Sequence, residues 1–127
     1  MKYDFVRRFL PPSNQTYFLF GPRGTGKSTW LKVNYPDALR IDLLKSDVNR
    51  LYQARPERLI EAVQASTNKT IIIDEVQKLP ELLDIVHSLI EEKQGWQFIL
   101  TGSSARKLKR AGVNLLAGRA IIRHLHP

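Results

Sequence analysis

The 127-residue sequence contains no cysteine, which removes disulfide frameworks, thiolate metal sites and cysteine nucleophiles from the chemistry open to it. That absence fits any redox compartment. No apolar run approaches the roughly 18–20 residues of a membrane-spanning helix, and the N-terminal MKYDFVRRFLPP lacks the uninterrupted apolar stretch of a signal peptide. We therefore expect a soluble, cytoplasmic protein with no membrane partner. Acidic side chains are missing from the last fifth of the chain: residues 102–127 carry six lysines and arginines and no aspartate or glutamate, whereas residues 1–101 carry 14 basic and 12 acidic groups. Such an end attracts phosphate, whether of a nucleotide or of nucleic acid, although a basic surplus is most often a solvated face. Histidine is scarce, and His87, His124 and His126 show no metal-ligand spacing.

What is present suffices for one domain with a real core: 43% of residues are hydrophobic and 25% charged, a balance that also argues against disorder. Residues 1–14 read as a basic lead dotted with Tyr3, Phe5 and Phe9 and closed by Pro11 and Pro12. Residues 15–127 read as the domain proper. Tyr17 to Phe20 is a short uninterrupted apolar run suited to a strand buried on both faces, and Gly21 ends it. A helix is expected from Lys27 to about Val33, stopped by Asn34-Tyr35-Pro36. Leu39 to Leu43 reads as a second strand. Ser46 is expected to cap a helix with Val48, Leu51 and Tyr52 on one face, and Pro56 to open another with Leu59, Ile60 and Val63 inside. The β-branched run Thr70-Ile71-Ile72-Ile73-Asp74 fits a central strand, Pro80 is expected to start an amphipathic helix ended by Gly95, and Trp96 to Thr101 reads as a fourth strand. Ala105 to Leu116 is a basic helical or irregular piece broken by Gly112, and Ala120 to Arg123 reads as a fifth strand. Apolar strands separated by helical patterns imply parallel pairing with right-handed crossovers, hence an α/β sandwich.

Gly21-Pro22-Arg23-Gly24-Thr25-Gly26-Lys27-Ser28 matches G-x-x-x-x-G-K-[ST] in full, between a strand and a helix as the motif requires. Its glycines let successive N–H groups converge on an anion, the helix N-terminus adds roughly half a positive charge, and Lys27 neutralises β- and γ-phosphate oxygens. Ser28 is the expected Mg²⁺ ligand, and Arg23 reads more readily as an exposed loop residue than as a phosphate contact. The run Ile71 to Glu75 supplies the complementary half: Asp74 at the strand tip holds the magnesium shell through water, and Glu75 orients or deprotonates a water in line with the γ-phosphorus. A kinase uses its substrate's hydroxyl and needs no such base, so hydrolysis is favoured over transfer. Leu100-Thr101-Gly102-Ser103-Ser104 brings small hydroxyls to the edge where open α/β sheets bind ligands, with Ser103 or Thr101 reaching γ-phosphate or water.

FLFGPRGTGKST, IIIDEVQKLPELLDIVHSLIE, FILTGSSARKL and LLAGRA together resemble the bacterial and archaeal AAA+ ATPases whose AAA core is usually followed by an uncharacterised, restriction-endonuclease-like domain. The resemblance covers about residues 15–127. It implies a three-layer α/β sandwich around a five-stranded parallel P-loop NTPase sheet of the additional-strand type, with ATP and Mg²⁺ as cofactors. It further implies ATP binding from Gly21 through Thr29 (Walker A), a Walker B pair at Asp74 and Glu75, and a sensor at Ser103 or Ser104. Arg119, in Leu116-Ala117-Gly118-Arg119, falls where such proteins keep an arginine that reaches a neighbouring active site, which implies self-association. The sequence departs from the family by stopping at Pro127, so a core without helical lid, second sensor arginine or C-terminal domain is expected. The first functional expectation is a Mg-ATP hydrolase core. A non-catalytic nucleotide-binding module, a small-molecule or nucleotide kinase, and a nucleic-acid-binding module resting on Arg106-Lys107-Leu108-Lys109-Arg110 are the alternatives.

Overall fold

The computed structural model describes residues 14–22, 26–110 and 115–124; the lead before them, the loop residues Arg23, Gly24 and Thr25, and Gly112 and His126 lie outside the described residues. Strands β1 (Tyr17–Phe20), β2 (Leu39–Asp42), β3 (Thr70–Asp74), β4 (Gln97–Gly102) and β5 (Ile121–His124) form one sheet in the order β2-β3-β4-β1-β5. All four pairings are parallel. Helices α1 (Lys27–Asn34), α2 (Ser46–Ala54), α3 (Arg58–Ala65), α4 (Leu82–Glu91) and α5 (Ala105–Arg110) lie between them in sequence, with 3₁₀ turns at Val76–Lys78 and Leu115–Gly118. This is the expected three-layer sandwich, and β4 is the strand inserted between β1 and β3.

Burial of both sheet faces explains why the central strands read as continuous apolar runs and not as alternating ones. Successive side chains point to opposite faces. Phe18, Phe20, Ile71, Ile73, Phe98 and Leu100 therefore pack with Leu59, Val63, Leu82, Val86 and Leu89 of α3 and α4. Tyr17, Leu19, Ile72 and Ile99 meet Trp30 and Leu31 of α1 on the other face. The Tyr17 hydroxyl pairs with that of Tyr35 at 3.2 Å, tying the end of α1 to the sheet, and burial first and this bond second push the Tyr17 phenol above its ordinary pKa.

Local expectations shift at four residues, Ser46, Leu51, Pro56 and Pro80. Ser46 is the first residue of α2 and not its cap; Lys45 occupies the cap position, and the turn is tied instead by Asp42 Oδ1 accepting from the Leu44 N–H and by Asn49 Nδ2 donating to the Leu43 carbonyl. Val48 and Tyr52, one helical turn apart, make the packed ridge of α2, which leaves Leu51 at its margin and 43% exposed. Pro56 and Pro80 sit in the turns ahead of α3 and α4, where their carbonyls accept from the N–H groups of Leu59 and Leu83. Among the described residues strand β5 has β1 as its one neighbour in the sheet, and Ile121 and Ile122 are 39% and 40% exposed at the margin.

Candidate nucleotide-binding site

The chain turns from β1 into the loop at Gly21, whose N–H donates to the Gly102 carbonyl at 3.1 Å, and enters α1 through Gly26 at φ 88°. That left-handed geometry suits glycine, which carries no Cβ to clash. The first intrahelical bond is Trp30 N–H to Gly26 O, so the N–H groups of Lys27, Ser28 and Thr29 precede the helix's own ladder. Helices α2, α3 and α4 each carry an acid in the first turn, Asp47, Glu61 and Asp84 respectively, whereas α1 has none. Helix α5 likewise has none, so the positive ends of α1 and α5 are not offset by a first-turn acid of their own. Ser28 and Thr29 are exposed there, Gly26 and Lys27 are half-buried, and Pro22 is exposed.

A closed circuit of contacts joins this loop to three strand ends. The Lys27 ammonium donates to the carbonyls of Gly21 at 2.7 Å and Gly102 at 3.0 Å, clamping the loop to the end of β4. One residue before Gly102, the Thr101 hydroxyl donates to Asp74 Oδ1 at 3.1 Å and accepts the Glu75 N–H at 3.0 Å. The other Asp74 oxygen, Oδ2, accepts from Arg40 Nε at 2.6 Å. Arg40 Nη2 then donates to Ser28 Oγ at 3.0 Å, which closes the circuit beside Lys27. Thr101 is therefore committed to the two carboxylate residues of β3 and does not take the phosphate-facing place that the sequence left open to it.

Glu75 is 7% exposed and adopts φ 57°, ψ 52°, a left-handed conformation uncommon for a residue with a side chain and often found at functional sites. Its Oε2 accepts from Gln77 Nε2 at 3.3 Å. Gln77 Oε1 finds no partner among the described residues and lies 2.9 Å from where a Cβ on Gly102 would stand, so the glycine makes room for the glutamine. Ser103 Oγ, just past β4, is likewise buried and without a partner among the described residues, as a hydroxyl held for a ligand would be. Ser104 instead accepts the Arg106 N–H at the start of α5.

Arg119 is not at this edge. It precedes β5 at the opposite end of the sheet and pairs with Glu91 at the end of α4. Exposed Arg106, Lys107 and Lys109 flank the buried Leu108 on α5. Arg40 is the site residue that sequence reasoning missed. Its signal was modest: a lone arginine inside a four-residue strand, two positions before Asp42, which pairs in register with Asp74.

A parallel sheet in this order, with a glycine loop running from β1 into α1 and an acidic pair at the end of β3, defines a P-loop NTPase fold. The sequence profile described as an AAA domain matches residues 13–127, and the chain belongs to that family, whose fold binds nucleotide. Among solved structures it is similar to PCH-2 from C. elegans, with 16% identity, a TM-score of 0.58 and coverage of 98% of this chain and 38% of that one. It is also similar to the replication initiator DnaA bound to AMPPCP and single-stranded DNA (15% identity, TM-score 0.50, 98% and 44% coverage). A protein described as a primosome component from Streptococcus pyogenes serotype M3 matches at 16% identity and TM-score 0.51, over 99% of this chain and 75% of that one. At such identities the likeness is one of fold, and the chain spans under half the length of the PCH-2 and DnaA chains. No curated protein sequence matches it.

Proposed function

We propose that the chain binds ATP with Mg²⁺ at the glycine loop and hydrolyses it, with Glu75 as general base. The observation that carries this reading is the closed circuit through Lys27, Gly102, Thr101, Asp74, Arg40 and Ser28, which gathers at one sheet edge the cation, hydroxyl and carboxylates that phosphate chemistry needs. Lys27 and the first N–H groups of α1 bind the phosphates, with Gly21 to Thr29 wrapping them. Lys27 then exchanges a backbone carbonyl for a phosphate oxygen, an acceptor of higher charge.

The side chains fit magnesium. Ser28 Oγ and Asp74 Oδ2 are hard oxygen donors already bridged by one cationic group, the Arg40 guanidinium. Magnesium typically takes one or two protein oxygens and completes its shell with water and phosphate, and the described residues hold no cluster of three or more acidic or histidine ligands that would make an all-protein cage. Ser28 and Asp74 would hold the ion, which when bound supplies charge to the β- and γ-phosphate oxygens. Glu75 accepts a proton from the attacking water as its oxygen bonds to the γ-phosphorus, and the bond to the β-bridging oxygen breaks with its electron pair leaving on ADP. Gln77 holds the Glu75 carboxylate, and Ser103 Oγ is free to meet the γ-phosphate or the water.

Glu75→Gln keeps the side chain's size and removes the base. We expect retained ATP affinity and turnover lowered by about 10²-fold or more. Hydrolysis at the wild-type rate would remove Glu75 from the mechanism. No specific observation favours transfer to an acceptor, and the exposed Arg106, Lys107 and Lys109 of α5 carry no more than a solvated basic face does.

A further inference from the structure

Arg40 holds the place between the two side chains assigned to magnesium, and this bears on how the site loads. Of the two Asp74 oxygens, Oδ1 is committed to the Thr101 hydroxyl and Oδ2 to Arg40 Nε, while Arg40 Nη2 engages Ser28 Oγ. A magnesium ion held by Ser28 Oγ, with a shell water on Asp74 Oδ2, would need the gap and the acceptor oxygens that the guanidinium now occupies. The arginine is also able to leave. β2 is an edge strand of the sheet, and the Arg40 side chain is 26% exposed against 12% for Asp74. Its planar donor fork is well matched to phosphate, so once magnesium has displaced it from Asp74 and Ser28 the guanidinium finds acceptors on the nucleotide.

We propose that Arg40 is an internal competitor for the magnesium position: its guanidinium neutralises Asp74 in the nucleotide-free protein and is displaced when magnesium and nucleotide load together. The inference rests on the magnesium-nucleotide reading above and adds a loading order to it. Nucleotide without metal leaves the Arg40 bridge intact, and the bridge raises the magnesium concentration needed to complete the site. A residue that only braced the strand would not affect that concentration.

The test is a titration of Mg²⁺ into protein saturated with a fluorescent, non-hydrolysable ATP analogue, comparing wild type with Arg40→Met, which keeps length and loses charge. We expect the half-saturating magnesium concentration to fall about tenfold in Arg40→Met, the factor that about 1.4 kcal/mol makes, with analogue affinity in chelator little changed. A second measurement uses the unaltered chain, so it does not depend on the variant folding: the ¹H–¹⁵N resonance of Arg40 Nε–H should move on adding Mg²⁺ with the analogue and stay with the analogue alone. A magnesium midpoint that is equal or higher in Arg40→Met, or an Nε–H resonance unmoved by the magnesium complex, would overturn the inference while leaving nucleotide binding in place. If wild type binds no analogue at any magnesium concentration, the functional reading and this inference fall together.

Discussion

Thr101 holds both acidic residues of the site with one hydroxyl, donating to Asp74 Oδ1 and accepting the Glu75 N–H, and it is 3% exposed. Thr101→Val preserves shape and leaves both partners buried and unsatisfied, which should cost about 1–3 kcal/mol of stability in denaturant unfolding. Unchanged stability would mean that neither bond matters. At this scale the sequence was partly legible. The phosphate loop and the Asp74-Glu75 pair are contiguous motifs, so their positions follow from pattern. Thr101 and Arg40 are brought to Asp74 by the pairing of separate strands, and the sequence shows the strand ends but not which way a hydroxyl or guanidinium turns. Ser103 is one of the hydroxyls expected to meet phosphate, and its oxygen is buried without a partner among the described residues.

The end of β4 shows how an element's own residue choice shapes the site. Every residue from Gln97 to Gly102 is buried, and a Cβ at Gly102 would come within 2.9 Å of Gln77 Oε1 and 3.1 Å of Phe20 Cε1. Gln77 is flexible and can yield; the Phe20 ring, stacked on Phe18 at 5.4 Å between centroids, is part of the core. Gly102→Ala should therefore lower stability by about 1–3 kcal/mol, as overpacking does, and move Gln77 away from Glu75. A melting temperature equal to wild type would show that the contact relaxes without strain. The central strands were plain in the sequence because β-branched and aromatic runs buried on two faces have few other uses. Helix starts were less so: proline favours the first turn or the turn before it, and here Pro56 and Pro80 take the latter. The exposure of β5 accords with its having one neighbour among the described residues, a property of the sheet order that no local pattern carries.

Over the whole molecule, the nucleotide edge and Arg119 lie at opposite ends of the sheet. Tyr17 pairs with Ile121, and the rise from Tyr17 to Gly21 is about 13 Å at roughly 3.3 Å per residue, with Arg119 set still further back. We propose that Arg119 reaches nucleotide in a second copy of the chain. Its pairing with Glu91 is no obstacle, since both side chains are nearly half exposed and surface pairs contribute little. An arginine supplied by a neighbour can raise turnover about 10³-fold or more. Specific activity should therefore rise with protein concentration, and an equimolar mixture of Arg119→Ala and Glu75→Gln chains should recover activity that neither has alone. Activity per chain that stays flat with concentration, with Arg119→Ala equal to wild type, would leave Arg119 as a partner of Glu91 only.

The central claim is that phosphate is held by the loop through Lys27, whose ammonium now rests on the carbonyls of Gly21 and Gly102. Calorimetric titration of Mg-ATP into wild type and Lys27→Ala tests it most directly. Affinity should fall at least tenfold in the variant, about 1.4 kcal/mol or more, and equal binding by the two proteins would contradict the account.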